Sequence, residues 1–186
     1  MTFDIKTYIQ NLCAQFAPTP IESGSGSASG SASASGSGSG SGSGAPDPQA
    51  FDFQFTEVSG LDGLEGILSG QVYFDNFVAV DATGDGAIQQ QRNGGYFITR
   101  VGTVFIVRKY QYGDMADMLN QMRICRFWFK RILRRMVAEQ EQLKKHLIYL
   151  NTERLAFREF APETAGHFTG LYFMIAFQQP YDVLND

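Results

Sequence analysis

Hydrophobic positions near the start of the chain recur at helical spacing. They lie three or four residues apart on one face: Phe3, Ile5, Tyr8, Ile9, Leu12, Cys13 and Phe16. This pattern predicts an amphipathic helix that ends before Pro18 and Pro20. Because an isolated helix of this length is only marginally stable in water, its apolar face must pack on the rest of this chain or on a neighbouring copy.

After residue 48 the hydrophobic pattern changes to alternation, which predicts strands. Phe51, Phe53 and Phe55 alternate with Asp52 and Gln54, as in a strand with one buried face.

Four further segments have the composition of strands. They are residues 71–82, 94–110, 153–160 and 167–180. Gly102 marks a predicted bulge or bend in the second of them. The last segment is apolar on both faces, which indicates a strand that is covered from both sides.

A long helix is predicted between the strand segments 94–110 and 153–160, with Asp114 as its N-cap. Its apolar stripe comprises Met115, Met118, Leu119, Met122, Cys125, Phe129, Ile132, Leu133 and Met136. The pattern persists to Leu150 without Pro or Gly, which would give a helix about 55 Å long. We therefore expect either a break near residues 138–142 or a helix that protrudes from the domain.

These elements predict an α+β fold, in which an antiparallel sheet of four to five strands packs against the long helix. Residues 1–22 form the N-terminal helix, residues 23–48 a flexible Ser/Gly/Ala linker, and residues 49–186 the α+β assembly domain. The coil from Ser23 to Gly44 has a mean span of roughly 26 Å. Two origins of this tract remain open, an engineered linker and natural low-complexity sequence.

Composition limits the classes of partner. The net charge of −4 argues against a general electrostatic grip on nucleic acid or membrane. The chain begins with no signal peptide and contains no apolar run of membrane-spanning length, so we expect a soluble cytoplasmic protein. Its two cysteines are far apart and are expected to be free thiols. Sixteen Phe and eight Tyr residues exceed what one small core is expected to bury, which favours contacts between subunits.

The sharpest local motif is "DATGDGAIQQQR", residues 81–92. Asp81, Thr83 and Asp85 occupy the first, third and fifth positions of an EF-hand calcium loop. The twelfth position, which needs a glutamate, is Arg92, and a strand is predicted where the preceding helix should be. The same residues are typical of a long hairpin connection, so calcium binding is the minor alternative.

A basic row lies on one face of the predicted long helix, at Arg123, Arg126, Lys130 and Arg134. It is interpreted as a solvated face, as a surface for an acidic or ring-forming protein partner, or as a contact for phosphates. Nucleic acid is the least favoured partner because the chain as a whole is acidic. Ile124 and Phe127 lie off the main apolar stripe, which leaves them available for contacts.

No catalytic constellation is visible in the sequence. His146 and His167 have no nucleophile or carboxylate at a suitable spacing, and the glycine-rich stretches are hairpin glycines rather than phosphate loops. We therefore expect no enzymatic activity and no cofactor.

The element order, together with "FVAVDATGDG…GGYF…YGD", "ADMLNQMRICRFWFKRIL" and "HFTGLYFMIAF", resembles the tail terminator and tail-completion proteins of tailed bacteriophages. These belong to the head-to-tail joining class, and the resemblance covers residues 51–184. It implies a structural virion protein, assembled in the host cytoplasm, that forms a closed ring, often of six copies. Such a ring would contact the tail tube and the neck.

A ring subunit needs two different surfaces that contact each other on neighbouring copies. The residues expected at these surfaces are Ile124, Phe127, Arg123, Arg126, Lys130, Arg134, Tyr172 and Met174. In this interpretation the Ser/Gly/Ala tract is a tether that carries the N-terminal helix to its own subunit or to an adjacent one.

Overall fold

A computed structural model describes residues 3–16, 51–60, 66, 75–81, 83, 86–92, 94–160 and 167–182. Within these residues lie two helices and seven strands. Along the chain they are α1 (Ile5–Ala14), β1 (Gln54–Val58), β2 (Asn76–Asp81), β3 (Gly86–Gln90), β4 (Tyr96–Lys109), α2 (Met115–Lys145), β5 (Tyr149–Asn151), β6 (Phe157–Phe160) and β7 (Phe168–Tyr181).

The sheet is organised around two central strands, β4 and β7, which are each 14 residues long and pair along their whole length. Its order is β1-β2-β4-β7-β5, and β3 and β6 pair with β4 and β7, respectively. The free side of β4 is shared by β2 and β3, one after the other. In the same way, β5 and β6 share the free side of β7.

The α+β class with one long helix is confirmed, but the predicted sheet of four to five antiparallel strands is wrong in two respects. The sheet has seven strands, and β1 runs parallel to β2. β3 and β5 were missed because one is exposed at every residue and the other is only three residues long. Neither strand shows a clear hydrophobic alternation.

The main core lies between the two helices and one face of the sheet, here called the inner face. Its strand residues include Val80, Val104, Ile106, Leu171 and Phe173, all fully buried. From α2 the core receives Met122, Ile124, Cys125, Trp128, Phe129, Ile132 and Met136.

Helix α1 packs on the inner face of its own sheet. Ile9 and Leu12 are buried there, and the backbone N–H of Phe3 donates to the side-chain carbonyl of Gln179 at 2.6 Å. The helix was expected to pack either on its own chain or on a neighbouring copy, and in the structure it packs on its own chain. The linker that joins it to β1 lies outside the described residues.

Gly102 permits this docking. A Cβ atom at this position would lie 3.2 Å from Cγ2 of Ile5, so the missing side chain lets α1 approach the sheet closely. The predicted bulge at Gly102 is wrong, because β4 pairs with β7 without a skipped residue.

Helix α2 begins as predicted at Asp114, whose carboxylate accepts from the backbone N–H of Asp117. It then runs without interruption for 31 residues, about 46 Å. The expected break at residues 138–142 is therefore wrong. The helix ends at Lys145, and Leu147 takes a positive φ of 61° where the chain turns towards β5.

The other face of the sheet, the outer face, is closed at one end and open at the other. A second buried cluster of Val58, Phe77, Ala79, Phe105, Val107 and Phe168 fills the closed end. Met174, further along β7, is 42% exposed. The prediction that β7 is covered on both sides therefore holds only for its first half.

Nine of the 23 described aromatic residues are buried and four are exposed, namely Tyr96, Tyr112, Tyr149 and Phe157, so the core absorbs only part of the expected aromatic surplus. Trp128 is the centre of one group, with the rings of Phe16, Phe51 and Phe127 within 5.5 Å of its own. The same core also encloses Phe53, Phe129, Phe173 and Phe177. The fold hides these rings within one subunit, so they do not by themselves require a partner.

Candidate interaction surfaces

The outward side of α2 carries a continuous row of exposed side chains, spaced three or four residues apart. We call it the α2 stripe: Met115, Leu119, Arg123, Arg126, Lys130, Arg134 and Val137. This spacing places all of them on one face of the helix, opposite the face that packs on the sheet. The stripe is apolar at its beginning, basic in its middle and apolar again at Val137.

The beginning of the stripe is the most exposed apolar site in the described part of the chain. Tyr112 is 75% exposed, Met115 65% and Leu119 56%. The Tyr112 ring packs against the imidazole of His167 in a tilted arrangement, with ring centroids 4.4 Å apart. An apolar cluster of Tyr, Met and Leu beside arginines has the composition of a protein–protein contact.

The basic middle of the stripe is only partly neutralised within the subunit. Arg126 donates two hydrogen bonds to Glu159 on β6, at 2.7 and 2.6 Å, which lowers the pKa of Glu159 and raises that of Arg126. Arg123 donates to the side-chain carbonyl of Asn120 at 2.9 Å. Lys130 and Arg134 form no ion pair with the described residues.

Ile124 and Phe127, which were predicted to lie off the apolar face of the long helix, have different surroundings in the structure. Ile124 is only 3% exposed and belongs to the main core, so its predicted role in a subunit contact is wrong. The predicted apolar stripe was too narrow, because the buried face of α2 also includes Ile124 and Trp128. Phe127 is half-buried, and the guanidinium of Arg131 lies 5.7 Å from its ring.

Helix α2 concentrates basic side chains. Eight of the fifteen Lys and Arg residues of the chain lie on it, together with only three of the nineteen acidic residues. The overall acidity of the chain is therefore a poor guide to the charge around α2.

The open half of the outer face is uncharged along its strands, with Glu153 beside one of its cavities. Apart from Asp81 at its border, its strand positions are Ala87, Gln89, Phe97, Thr99, Val101, Thr103, Tyr149, Asn151, Met174, Ala176, Gln178 and Pro180. Two cavities of about 330 and 510 Å³ lie beside Tyr149 and Gln178. Met174 lies on this open half, whereas Tyr172 is half-buried against the second cluster.

The segment considered as a minor candidate for a calcium loop does not follow EF-hand geometry where it is described. Its sixth and eighth positions, Gly86 and Ile88, lie in β3, which forms a hairpin with β4. The Asp81 carboxylate accepts from the backbone N–H of Thr83 at 2.8 Å and of Gly60 at 3.1 Å. Burial raises the pKa of Asp81, but these hydrogen bonds and that of the Thr83 hydroxyl outweigh it, so the pKa is lowered overall. Asp85 lies outside the described residues.

The remaining reactive side chains have structural surroundings. Cys13 and Cys125 are free and buried, and burial raises the pKa of each thiol to about 12. His146 is the C-cap of α2. Over the described ranges there is no group of three His, Cys, Asp or Glu residues that could hold a metal ion.

The described helices include none that is long and apolar enough to cross a membrane.

A comparison of the sequence with models of protein families finds no match, and a comparison with curated proteins finds none either.

Proposed function

We propose that this chain is a structural assembly subunit that forms a homo-oligomeric ring at the head-proximal end of a phage tail. The observation that carries the proposal is the α2 stripe, which presents an exposed apolar cluster followed by a row of cations. The resemblance of the sequence to tail terminator and tail-completion proteins supplies the biological setting. In that setting the ring contacts tail-tube and neck proteins.

The α2 stripe and the open half of the outer face are suited to different contacts. The stripe is basic and partly apolar, whereas the open half-face is uncharged along its strands. A ring requires two distinct surfaces on each subunit, because each copy contacts its two neighbours differently. The two surfaces lie on opposite sides of the sheet, where they do not obstruct each other.

The proposal is tested by the mass of the full-length protein in solution. Light scattering after size exclusion, together with native mass spectrometry, should show a closed oligomer or a monomer that assembles on purified tail tubes. Met115→Ser with Leu119→Ser should weaken assembly at least about tenfold, since truncating an interface anchor commonly costs more than 1 kcal/mol. Leu147→Ser is the control, because Leu147 is also exposed but lies beyond the end of α2. A persistent monomer that ignores tail tubes would refute the proposal.

A second candidate is a nucleic-acid contact through the basic middle of the stripe. It is favoured by the excess of cations on α2, which carries eight Lys and Arg residues and three acidic ones. Binding of duplex DNA by mobility shift should then fall steeply with salt concentration, and should be lost on combining Arg123→Gln, Lys130→Gln and Arg134→Gln. Binding that is absent at low salt would exclude it.

A further inference from the structure

Among the strands that the structure describes, β3 forms a free edge of the sheet. All five of its residues are exposed, and among the described residues it pairs only with β4. Ile88, at its centre, is 52% exposed. A strand with one unpaired side presents backbone donors and acceptors that another strand can occupy.

The hairpin geometry shows which backbone groups are unpaired. The N–H of Gln91 donates to the carbonyl of Gly95 at 2.8 Å, so Gln91 faces β4. In an antiparallel pair, alternate residues face the same side. Ala87 and Gln89 therefore bond to β4 as well, while the backbone groups of Gly86, Ile88 and Gln90 point away from the sheet.

This edge lacks the features that usually prevent strand pairing. Proteins protect free edges with charged side chains, prolines or bulges, and β3 has none of them. The strands on the opposite side differ. β6 carries Arg158 and Glu159, and in β5 the carbonyl of Leu150 accepts from the side-chain amide of Gln140 at 3.0 Å.

We propose that β3 pairs in antiparallel orientation with β3 of a second copy of this chain, about a two-fold axis at Ile88. In this register the two Ile88 side chains meet. Gly86 faces Gln90 of the second copy, and Ala87 faces its Gln89. Small residues thus lie opposite long ones, and no like charges are opposed.

The edge itself favours an identical strand over an unrelated one. Strand β3 contains no charged residue. When two copies of it pair in antiparallel orientation, small side chains lie opposite long ones. Pairing would also shield Ile88, an exposed apolar side chain on an otherwise polar strand. A two-fold contact cannot close a ring. It joins two subunits, or two rings, and so goes beyond the proposed function.

The decisive experiment exchanges charges at the axis. Ile88→Lys and Ile88→Glu each place like charges opposite one another, so each variant alone should associate at least about tenfold more weakly than the wild type. Mixing the two variants should restore association, as a mixed dimer in native mass spectrometry. Two variants that associate like the wild type would overturn the proposal. So would two monomeric variants that fail to combine on mixing.

A proline provides a second test that does not depend on the side chain of Ile88. Gln90→Pro removes an N–H that points away from the sheet and leaves the hydrogen bonds to β4 in place. It should abolish pairing, while Gln90→Ala should preserve it. An unchanged far-UV circular dichroism spectrum shows that each variant is folded. Pairing that survives Gln90→Pro would contradict the assignment.

These outcomes separate the pairing of β3 from the ring. A dimer that is lost in the β3 variants, with no larger assembly, supports the pairing and contradicts the ring. A closed oligomer whose mass is unchanged in the β3 variants contradicts the pairing alone. A wild-type chain that is monomeric at high concentration overturns the pairing directly.

Discussion

Arg108 shows how a single residue joins three parts of the fold. It is only 5% exposed, and its guanidinium donates two hydrogen bonds to the carboxylate of Asp52, at 2.6 and 2.9 Å. Its Nε donates to the side-chain carbonyl of Gln121 on α2 at 2.7 Å. The extended segment before β1 is thereby linked to the inner face of β4 and to the long helix.

We expect Asp52→Asn to destabilise the protein by about 2 kcal/mol. Removing one partner of a buried pair costs about 3–5 kcal/mol, and this cost is reduced here because the Asp52 side chain is itself 42% exposed. Urea denaturation measures the change. The control is Asp75→Asn, which breaks the exposed pair with Lys109 and should cost less than about 1 kcal/mol. Equal effects of the two substitutions would contradict this ranking.

The pair of Arg126 and Glu159 gives stability a pH dependence. The hydrogen bond from Arg126 lowers the pKa of Glu159 in the folded protein, so unfolding takes up a proton. The pair therefore stabilises the fold above the ordinary glutamate pKa of about 4.3. This contribution is lost as the pH falls through the lower, folded-state pKa.

The variant Glu159→Gln should have a lower unfolding free energy than the wild type at pH 6. This difference should shrink towards pH 3. The difference is expected to stay below about 1 kcal/mol, because both side chains are partly exposed. Denaturation series at several pH values measure it, with Glu153→Gln as a control that removes an exposed carboxylate. A difference between Glu159→Gln and the wild type that grows towards acid pH would have the wrong sign.

At the residue scale, sequence patterns predicted the N-cap of α2 and the burial of Phe51 and Phe53, but not the width of the buried face of α2. Asp114 is the N-cap of the long helix, and Phe51 and Phe53 are buried, as expected. Ile124 was placed off the apolar stripe, and the stripe did not include Trp128, because it was taken to be narrow. Aromatic rings from α1 and from the segment before β1 widen the buried face of α2, and such long-range packing leaves no local signal.

At the scale of elements, α1 is an integral part of the core. Four of its ten residues are buried, namely Ile5, Ile9, Leu12 and Cys13. Its carboxyl end brings Phe16 to within 5.5 Å of the Trp128 ring. Since Trp128 is the only tryptophan of the chain, its fluorescence reports whether the helix is docked.

The substitution Ile9→Asp should release α1 from the sheet, because a carboxylate at a fully buried position cannot be solvated. Trp128 would then be hydrated, and its emission maximum should shift to longer wavelength. Gln10→Asp is the matched control, since Gln10 is exposed on the same helix. An unshifted emission maximum would show that α1 does not shield Trp128.

The elements that the sequence failed to predict share a physical cause. Strands are recognised from alternation between a buried and an exposed face. β3 has no buried residue, and β5 spans only Tyr149–Asn151, so neither provides that contrast. The parallel pairing of β1 with β2 was missed for another reason, because strand order and direction are set by tertiary packing.

At the scale of the whole molecule, net charge conceals a local excess of cations. The chain has a pI near 5.2, yet α2 carries eight Lys and Arg residues and only three acidic ones. Composition therefore argued against an anionic partner, although α2 presents Arg123, Lys130 and Arg134 to solvent.

At low salt and neutral pH we expect the protein to be retained both by an anion exchanger and by immobilised heparin, because the chain is acidic overall while α2 presents a local row of cations. Combining Arg123→Gln, Lys130→Gln and Arg134→Gln should advance elution from heparin to a lower salt concentration. Retention on the anion exchanger should increase in the same variant. If both elution positions stay constant, the basic row does not determine the surface potential.

The two long central strands also govern when the fold can form during synthesis. β7 leaves the ribosome after every other described strand, yet it supplies the partner for the whole length of β4 and the anchor for Phe3, just before α1. Until then the edge of β4 that pairs with β7 has no partner strand. Translation products that stop before β7 are therefore expected to bind chaperones or aggregate rather than accumulate as partly folded monomers.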